Sequence, residues 1–200
     1  MNNISTWLDH LDKELFLFLR HLFQSRLMEE NAGILGDVHA WVPMFVFLAI
    51  VLYLCRPGAA VYSLFFGLAA FILSFQASVL LAGFLHQPSP AQYAYVMNFP
   101  GLPDGGRADG LGLPDWGIAS LAAVFHFARL RVWQLDEMNI SAGWLGVIVF
   151  CLIRIYAGYT YPLGALMAVL VGILVAGLMY KLARSVEMLS PAVGPPDSDE

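Results

Sequence analysis

The sequence predicts an all-α membrane protein, a polytopic bundle of about five membrane-spanning helices preceded by an amphipathic helix at the membrane interface. Of its 200 residues, 59% are hydrophobic and only 12% are charged, and the mean hydropathy is +0.69. One soluble core cannot bury so large an apolar share, so lipid must surround part of the chain. A bilayer is crossed by roughly 20 apolar helical residues. Five stretches approach that length, namely residues 41–55, 59–85, 116–132, 142–159 and 161–182, the first and third being short.

Three regions follow from this pattern: an N-terminal segment of residues 1–38, a transmembrane domain of residues 39–185 and a tail of residues 186–200. In the first, apolar side chains recur with helical spacing among charged ones, which is typical of a helix lying at the membrane surface. The apolar positions are Leu8, Leu11, Leu15, Phe16, Leu19, Leu22 and Phe23. After this helix, residues 29–39 are polar and contain Gly, which favours a connection. The tail is acidic, lacks apolar periodicity and is predicted to be disordered.

Charge predicts the orientation of the spans. Short connections on one side of the predicted bundle carry basic residues, and the long Pro- and Gly-rich connection of residues 86–115 lies on the other side. The basic residues are Arg56, Arg129, Arg131, Lys181 and Arg184. Because cytoplasmic loops are enriched in Lys and Arg, we expect the long loop outside and the C-terminus in the cytoplasm.

Composition also excludes several functions. With a net charge of −5 and no basic stripe, the chain offers nothing to neutralise nucleic-acid phosphates. The five histidines, at positions 10, 21, 39, 86 and 126, lack the pairing of metal ligands, so we expect no metal and no cofactor. Cys55 and Cys151 fall inside predicted helices, where a buried thiol acts as a small apolar group.

The last span carries a ridge of small residues. Gly164, Ala168, Gly172 and Ala176 recur every four residues, so they share one helix face. Small side chains let a neighbouring helix backbone approach closely. We expect helix packing on this face, with a membrane-protein partner as the alternative occupant.

Residues 152–172 resemble the third signature of the type-2 phosphatidic acid phosphatases. That signature reads Ser-Arg, five residues, His, three residues, Asp, and it often contains Arg-Ile-Tyr at its start and Tyr-Pro after the His. This chain has Arg154-Ile-Tyr, then Gly158, then Tyr161-Pro162 and the helix of small residues. The opening residues 11–19 are similar to the amphipathic start of short bacterial members. The resemblance extends over about residues 7–181 and implies a bacterial inner membrane location.

The resemblance also implies which catalytic groups are missing. In the family, the His of the third signature attacks phosphorus and the Asp orients it, but Thr160 and Gly164 stand at those positions. The second signature, Pro-Ser-Gly-His, maps onto residues 114–117, where Gly117 replaces the general-acid His. There Asp115 has two interpretations, a protonating acid or a helix N-cap.

The first family signature maps onto the end of the second span, where Leu80 replaces its Lys and Gln87 replaces the Arg of its Arg-Pro. Only Arg154 survives from the charged and nucleophilic groups of the family site. An Arg within a span either binds an anion, forms a structural ion pair or extends its charged end toward the outer membrane surface, and these interpretations stay open. His86, beside Gln87, is either an interfacial residue or a headgroup contact.

Loss of a nucleophile or base costs roughly 10³- to 10⁶-fold in rate. We therefore expect a protein of this family with no catalytic residues, which binds an anionic lipid phosphate or a membrane partner. The expected substrate-binding residues are Arg154, Arg107, His86, Gln87, Asp115 and Thr160. The alternatives are a divergent phosphatase acting on lipid or prenyl (di)phosphates, and a structural subunit of a membrane complex.

Overall fold

The computed structural model describes residues 2–42, 57–85, 114–131 and 137–189, together with positions 46, 50, 89 and 90. These residues form helices and one 3-10 turn, and no strand occurs among them, which confirms the all-α prediction. The helices are α1 (Asn2–Leu22), α2 (Arg26–Leu35), α3 (Pro57–Leu85), α4 (Trp116–Arg131), α5 (Glu137–Tyr156) and α6 (Pro162–Leu189), and the 3-10 turn is Val38–Trp41.

Two helices are long and apolar enough to cross a membrane, Ser63–Leu85 within α3 and Pro162–Val186 within α6. Shorter apolar helices occur at Trp116–Leu130 and Gly143–Tyr156. Four of the five predicted spans thus coincide with apolar helices of a membrane bundle, while the first, residues 41–55, lies largely outside the described residues. Large apolar side chains remain exposed on the outer faces of the two long helices, where lipid replaces a protein partner. They include Phe65, Leu68, Phe84, Leu166, Leu170 and Leu174.

Helix α4 lies at the centre of the bundle, packed against α3 and α6. The ridge on α6 provides this packing: a Cβ placed on Gly172 would clash with the Ala119 carbonyl oxygen and would lie 2.9 Å from the Ala122 Cβ. Helix packing is therefore confirmed for this face. A membrane-protein partner on the same face stays a prediction, and the structure shows that α4 of the same chain already buries Ala168 and Ala176 there.

A second ridge of small residues escaped the sequence analysis. Ala70, Ser74, Ser78 and Ala82 recur every four residues on α3, and all four are buried. Across the α3–α4 contact, the Ser120 hydroxyl donates to the Phe71 carbonyl at 3.4 Å. Small residues on three helices therefore bring the backbones of α3, α4 and α6 close together.

The N-terminal helices lie across the end of the bundle where α5 ends and α6 begins. From α1, the Asp12 carboxylate accepts a hydrogen bond from the Leu163 N–H at 2.9 Å, and Phe16 contacts Tyr161 edge-on at 5.6 Å. On the opposite face of α1, an apolar stripe is exposed, as expected for a helix at the membrane interface. The stripe consists of Leu8, Leu11, Leu15, Phe18 and Leu22.

Two boundaries differ from the sequence prediction. The polar stretch of residues 29–39, predicted as a connection, is helical up to Leu35 in α2. Ser25 explains this start, since its hydroxyl accepts the Met28 N–H at 3.3 Å as a helix N-cap does. At the other end, α6 continues past residue 185 to Leu189, so the first residues of the predicted tail are helical. Residues 190–200 of that tail lie outside the described residues.

Candidate functional site

Arg154, in the last turn of α5, is buried with only 5% of its surface exposed. Its Nε and Nη2 donate to the same carboxylate oxygen of Asp115, Oδ2, at 2.9 and 2.7 Å. Its Nη1 donates to the Gly36 carbonyl oxygen, which follows α2. The guanidinium therefore joins three parts of the chain, and its charge is neutralised inside the protein.

Asp115 immediately precedes α4 and is 2% exposed. Besides the two bonds from Arg154, it accepts the Ile118 N–H on Oδ1 at 3.0 Å. A side-chain oxygen that accepts the N–H three residues later is the geometry of a helix N-cap. Of the two interpretations of Asp115, the structure thus shows the N-cap. It also shows the structural ion pair that was one interpretation of Arg154, with Asp115 as a partner that the sequence did not identify.

Aromatic rings surround the guanidinium. Its Cζ lies 4.1 Å from the ring centre of Tyr159, 5.9 Å from that of Phe150 and 6.0 Å from that of Trp116. These distances allow cation–π attraction, and the rings exclude water from the pair. Attraction between Arg154 and Asp115 is stronger in such surroundings than at a surface, and so is the cost of leaving either group unpaired.

The end of α5 explains how Tyr159 reaches Arg154. Gly158 has φ 77°, and its N–H donates to the Ile155 carbonyl at 3.0 Å while the Tyr159 N–H donates to the Arg154 carbonyl at 3.0 Å. This pair of bonds is the Schellman motif, which places the second residue after the helix end against the residue five positions earlier. Gly accepts a positive φ without steric cost, so Gly158 is required to put Tyr159 over the guanidinium.

Position 160, which the resemblance aligns with the family's nucleophilic His, holds a fully buried threonine. The Thr160 hydroxyl donates to the Tyr161 carbonyl at 3.3 Å. Close by, at the N-terminus of α6, the Leu163 N–H is taken by the Asp12 carboxylate. Burial raises the pKa of Asp12 above its ordinary 3.8, against the lowering effect of the Leu163 hydrogen bond. A carboxylate of the chain's own thus occupies the positive end of α6.

Of the six predicted binding residues, the structure describes three. Arg154 and Asp115 are bonded to each other, and Thr160 lies four residues past the end of α5. Arg107, His86 and Gln87 lie outside the described residues, so their place in the site stays a prediction. Within the described ranges, no group of three or more His, Cys, Asp and Glu residues is arranged to hold a metal ion.

An Asp–His pair that was not predicted from the sequence lies on the turn that follows Gly36. Asp37 Oδ1 accepts the His39 N–H at 2.9 Å and lies 2.9 Å from the His39 Nδ1. The His39 backbone N–H and ring lower the pKa of Asp37, and the Arg154 guanidinium lowers it further. The His39 side chain itself is 83% exposed. The signal available in the sequence was an Asp two residues before a His, directly ahead of the interfacial Trp41.

No described imidazole bonds to Arg154, whose hydrogen-bond partners are Asp115 and Gly36. His126, for comparison, lies in the second half of α4, with its ring 6.1 Å from that of Trp144. The site as described contains an anion-binding cation with an internal anion already on it.

Comparison with known structures identifies the helical arrangement. The crystal structure of Aquifex aeolicus LpxE matches with a TM-score of 0.58 at 19% sequence identity, over 86% of this chain and 95% of that chain. The chain therefore shares the helical fold of that structure. At this identity the match shows the fold alone. This fold is consistent with the resemblance to the type-2 phosphatidic acid phosphatases around Arg154. No family model matches the sequence, and no curated protein sequence matches it.

Proposed function

We propose that this chain is a non-hydrolytic membrane protein of the type-2 phosphatidic acid phosphatase family, which binds a membrane lipid or a membrane-protein partner. The observation that carries the proposal is the set of groups on the Arg154 guanidinium, a carboxylate and a carbonyl oxygen. Phosphoryl transfer needs a nucleophile in line with phosphorus beside such a cation. Here Asp115 already takes two of the guanidinium donors, and Thr160 stands where the resemblance aligns the family's imidazole.

Electrostatics supports the same proposal. A phosphate ester brings negative charge, and its transition state needs positive groups aimed at the equatorial oxygens. The Arg154 cation is already paired with the Asp115 carboxylate. Two further carboxylates, those of Asp12 and Asp37, accept hydrogen bonds from N–H groups of the chain itself. A phosphate at Arg154 would therefore meet a guanidinium whose charge an internal anion already neutralises. Binding of a lipid phosphate at Arg154 then requires it to replace the Asp115 carboxylate.

Membrane location is supported by the apolar helices. We propose the bacterial inner membrane, with residues 86–115 outside and the C-terminus in the cytoplasm. Arg129 supports this orientation. It lies at the end of α4 opposite Asp115, which is the last residue of the connection placed outside. Cysteine labelling with an impermeant reagent at Ser185, near the C-terminal end of α6, tests it: labelling only after the membrane is opened is expected, and labelling of intact cells would contradict it.

The test of function is phosphate release by purified protein in lipid–detergent micelles. Substrates are phosphatidic acid, lysophosphatidic acid and a prenyl diphosphate, with an active phosphatase of the same fold as positive control. We expect the wild type to release no more phosphate than the Arg154→Met variant. Turnover that disappears in Arg154→Met would overturn the proposal. Co-purification in mild detergent then separates bound lipid from a stoichiometric protein partner.

A divergent phosphatase is the second candidate, and one observation favours it. His39 has its Nδ1 held by the Asp37 carboxylate, an arrangement that leaves Nε2 available as a nucleophile or base. The pair adjoins Gly36, which bonds to Arg154. If this candidate is right, phosphate release in the same assay falls at least about 10³-fold in His39→Asn. An equal rate in wild type and His39→Asn excludes it.

A further inference from the structure

We propose that the Asp115 carboxylate is a tethered ligand in an oxyanion-binding site of Arg154, and that it keeps external phosphate out. The ligand class is a tetrahedral oxyanion, either inorganic phosphate or a phosphomonoester headgroup. This inference rests on the proposed function and deepens it, because it gives the physical reason why the wild type binds no phosphate at Arg154.

The N–H groups of Arg154 are arranged to bind an oxyanion. Arg154 directs two N–H groups, Nε and Nη2, at one oxygen of Asp115, while Nη1 is turned to the Gly36 carbonyl. A phosphate oxygen has the same charge sign and the same acceptor capacity as that carboxylate oxygen. The planar guanidinium therefore binds either anion with the same pair of donors.

The Arg154–Asp115 pair is buried. Asp115 and Arg154 have side-chain exposures of 2% and 6%, and the Tyr159 ring lies over the guanidinium. In such a dry site a cation holds an anion tightly and cannot be left without one at low cost. Since Asp115 belongs to the same fold, it competes as an intramolecular ligand against anything in solution.

A second internal anion, Asp12, lies at the same end of the bundle. The N-terminus of α6, which would attract an external anion, has its Leu163 N–H bonded to the buried Asp12. Both anion-attracting features described near position 160 thus hold carboxylates of the chain itself. Asp12 comes from α1 and Asp115 from the start of α4, so the two are separate contributions of the sequence.

The N-cap makes a selective variant available. Ser and Asp cap helices about equally well, so Asp115→Ser removes the anion but keeps an acceptor for the Ile118 N–H. The shorter side chain also leaves space beside the guanidinium. The double variant Asp115→Ser/Arg154→Met removes the cation as well and is the matched control, because phosphate stabilises most proteins without binding them.

The experiment compares the melting temperatures of wild type, Asp115→Ser and the double variant in inorganic phosphate and in chloride of equal ionic strength. We expect phosphate to raise the melting temperature of Asp115→Ser by about 3–6 °C more than that of the other two proteins, at ten times its Kd. Equilibrium dialysis with radioactive phosphate should give one phosphate per Asp115→Ser chain. An equal shift in all three proteins, or no shift in any, overturns the inference.

Folding failure is covered by the same design. If Asp115→Ser is recovered folded only when purified in phosphate, while Asp115→Ser/Arg154→Met gains nothing from phosphate, phosphate has replaced the missing carboxylate and the inference is supported. If phosphate does not recover Asp115→Ser, or recovers both variants equally, the inference is overturned. In nanodiscs, phosphatidic acid is compared with phosphatidylglycerol. If phosphatidic acid stabilises Asp115→Ser at a lower concentration than inorganic phosphate does, the site binds a lipid headgroup. If it does not, the site binds free phosphate. Turnover by the wild type would overturn the proposed function, whereas failure of Asp115→Ser to bind overturns this inference alone.

Discussion

Arg154→Met removes one half of a buried ion pair and leaves the Asp115 carboxylate with the Ile118 N–H as its remaining partner. Asp115→Asn removes the other half of the pair. It keeps an N-cap acceptor but removes the negative charge, so the Gly36 carbonyl is the remaining partner of the guanidinium. Breaking a buried pair by removing one partner costs roughly 3–5 kcal/mol. The bonds agree with this size, since Arg154 makes two to Asp115 and each charged bond is worth about 1.5–3 kcal/mol.

Removing both charges has a different outcome. Arg154→Met/Asp115→Asn leaves no buried charge at this place, and replacing a buried pair by neutral groups is often close to neutral in stability. We therefore expect the double variant to lose much less unfolding free energy than the two single variants lose in total. The difference, which is the coupling energy, should be at least about 2 kcal/mol.

The assay is unfolding of the four proteins by titration with sodium dodecyl sulfate in mixed micelles, followed by tryptophan fluorescence. Trp116 contributes to this signal, so helical circular dichroism serves as the second probe. Additive losses, with coupling under about 0.5 kcal/mol, would show that Arg154 and Asp115 do not form the pair. Asp115 would then not be the internal ligand of Arg154.

Three further predictions test the packing and the N-terminal helix. Gly172→Ala is expected to destabilise the protein by about 1–3 kcal/mol because its Cβ meets the backbone of α4, whereas Gly177→Ala, with nothing within 4 Å, should be neutral or stabilising by up to about 1 kcal/mol. Gly143→Ala should likewise lower the melting temperature, since its Cβ would overlap an aromatic ring of α4, while Gly146→Ala on the same helix should not. A raised pKa means that Asp12 stabilises docking of α1 fully below its ordinary 3.8 and loses this contribution as pH rises through the raised value. Hydrogen exchange of α1 amides should therefore show more protection in wild type, relative to Asp12→Asn, as pH falls from 7 towards 4; an equal pH dependence in the two proteins would contradict this.

Much of the fold was predictable because membrane-spanning helices appear in a sequence as long apolar stretches. Residues 59–85 and 161–182 were recognised from apolar length alone, and α3 and α6 match them closely. The four-residue spacing that contains Gly172 identified the packing face. The helical character of α2 was missed because its polar composition resembles a connection, and the Ser25 cap outside it was overlooked.

The site was harder to predict because its contacts are long-range. Arg154 could be selected from sequence as a costly cation in a span, and Asp115 as a helix cap. Their pairing joins residues 39 apart, and the bond to Gly36 spans 118 positions, which no local pattern encodes. Asp12 was assigned to the charged face of an interfacial helix, since only the fold brings it to the start of α6.

Phosphate release from phosphatidic acid by the purified wild type, measured beside Arg154→Met and His39→Asn, tests the central claim most directly. Because the guanidinium already holds Asp115 and position 160 carries a hydroxyl in place of an imidazole, all three proteins should match the buffer blank. Sustained release by the wild type that is lost in Arg154→Met would show that this cation serves catalysis, and the claim of a non-hydrolytic protein would be wrong.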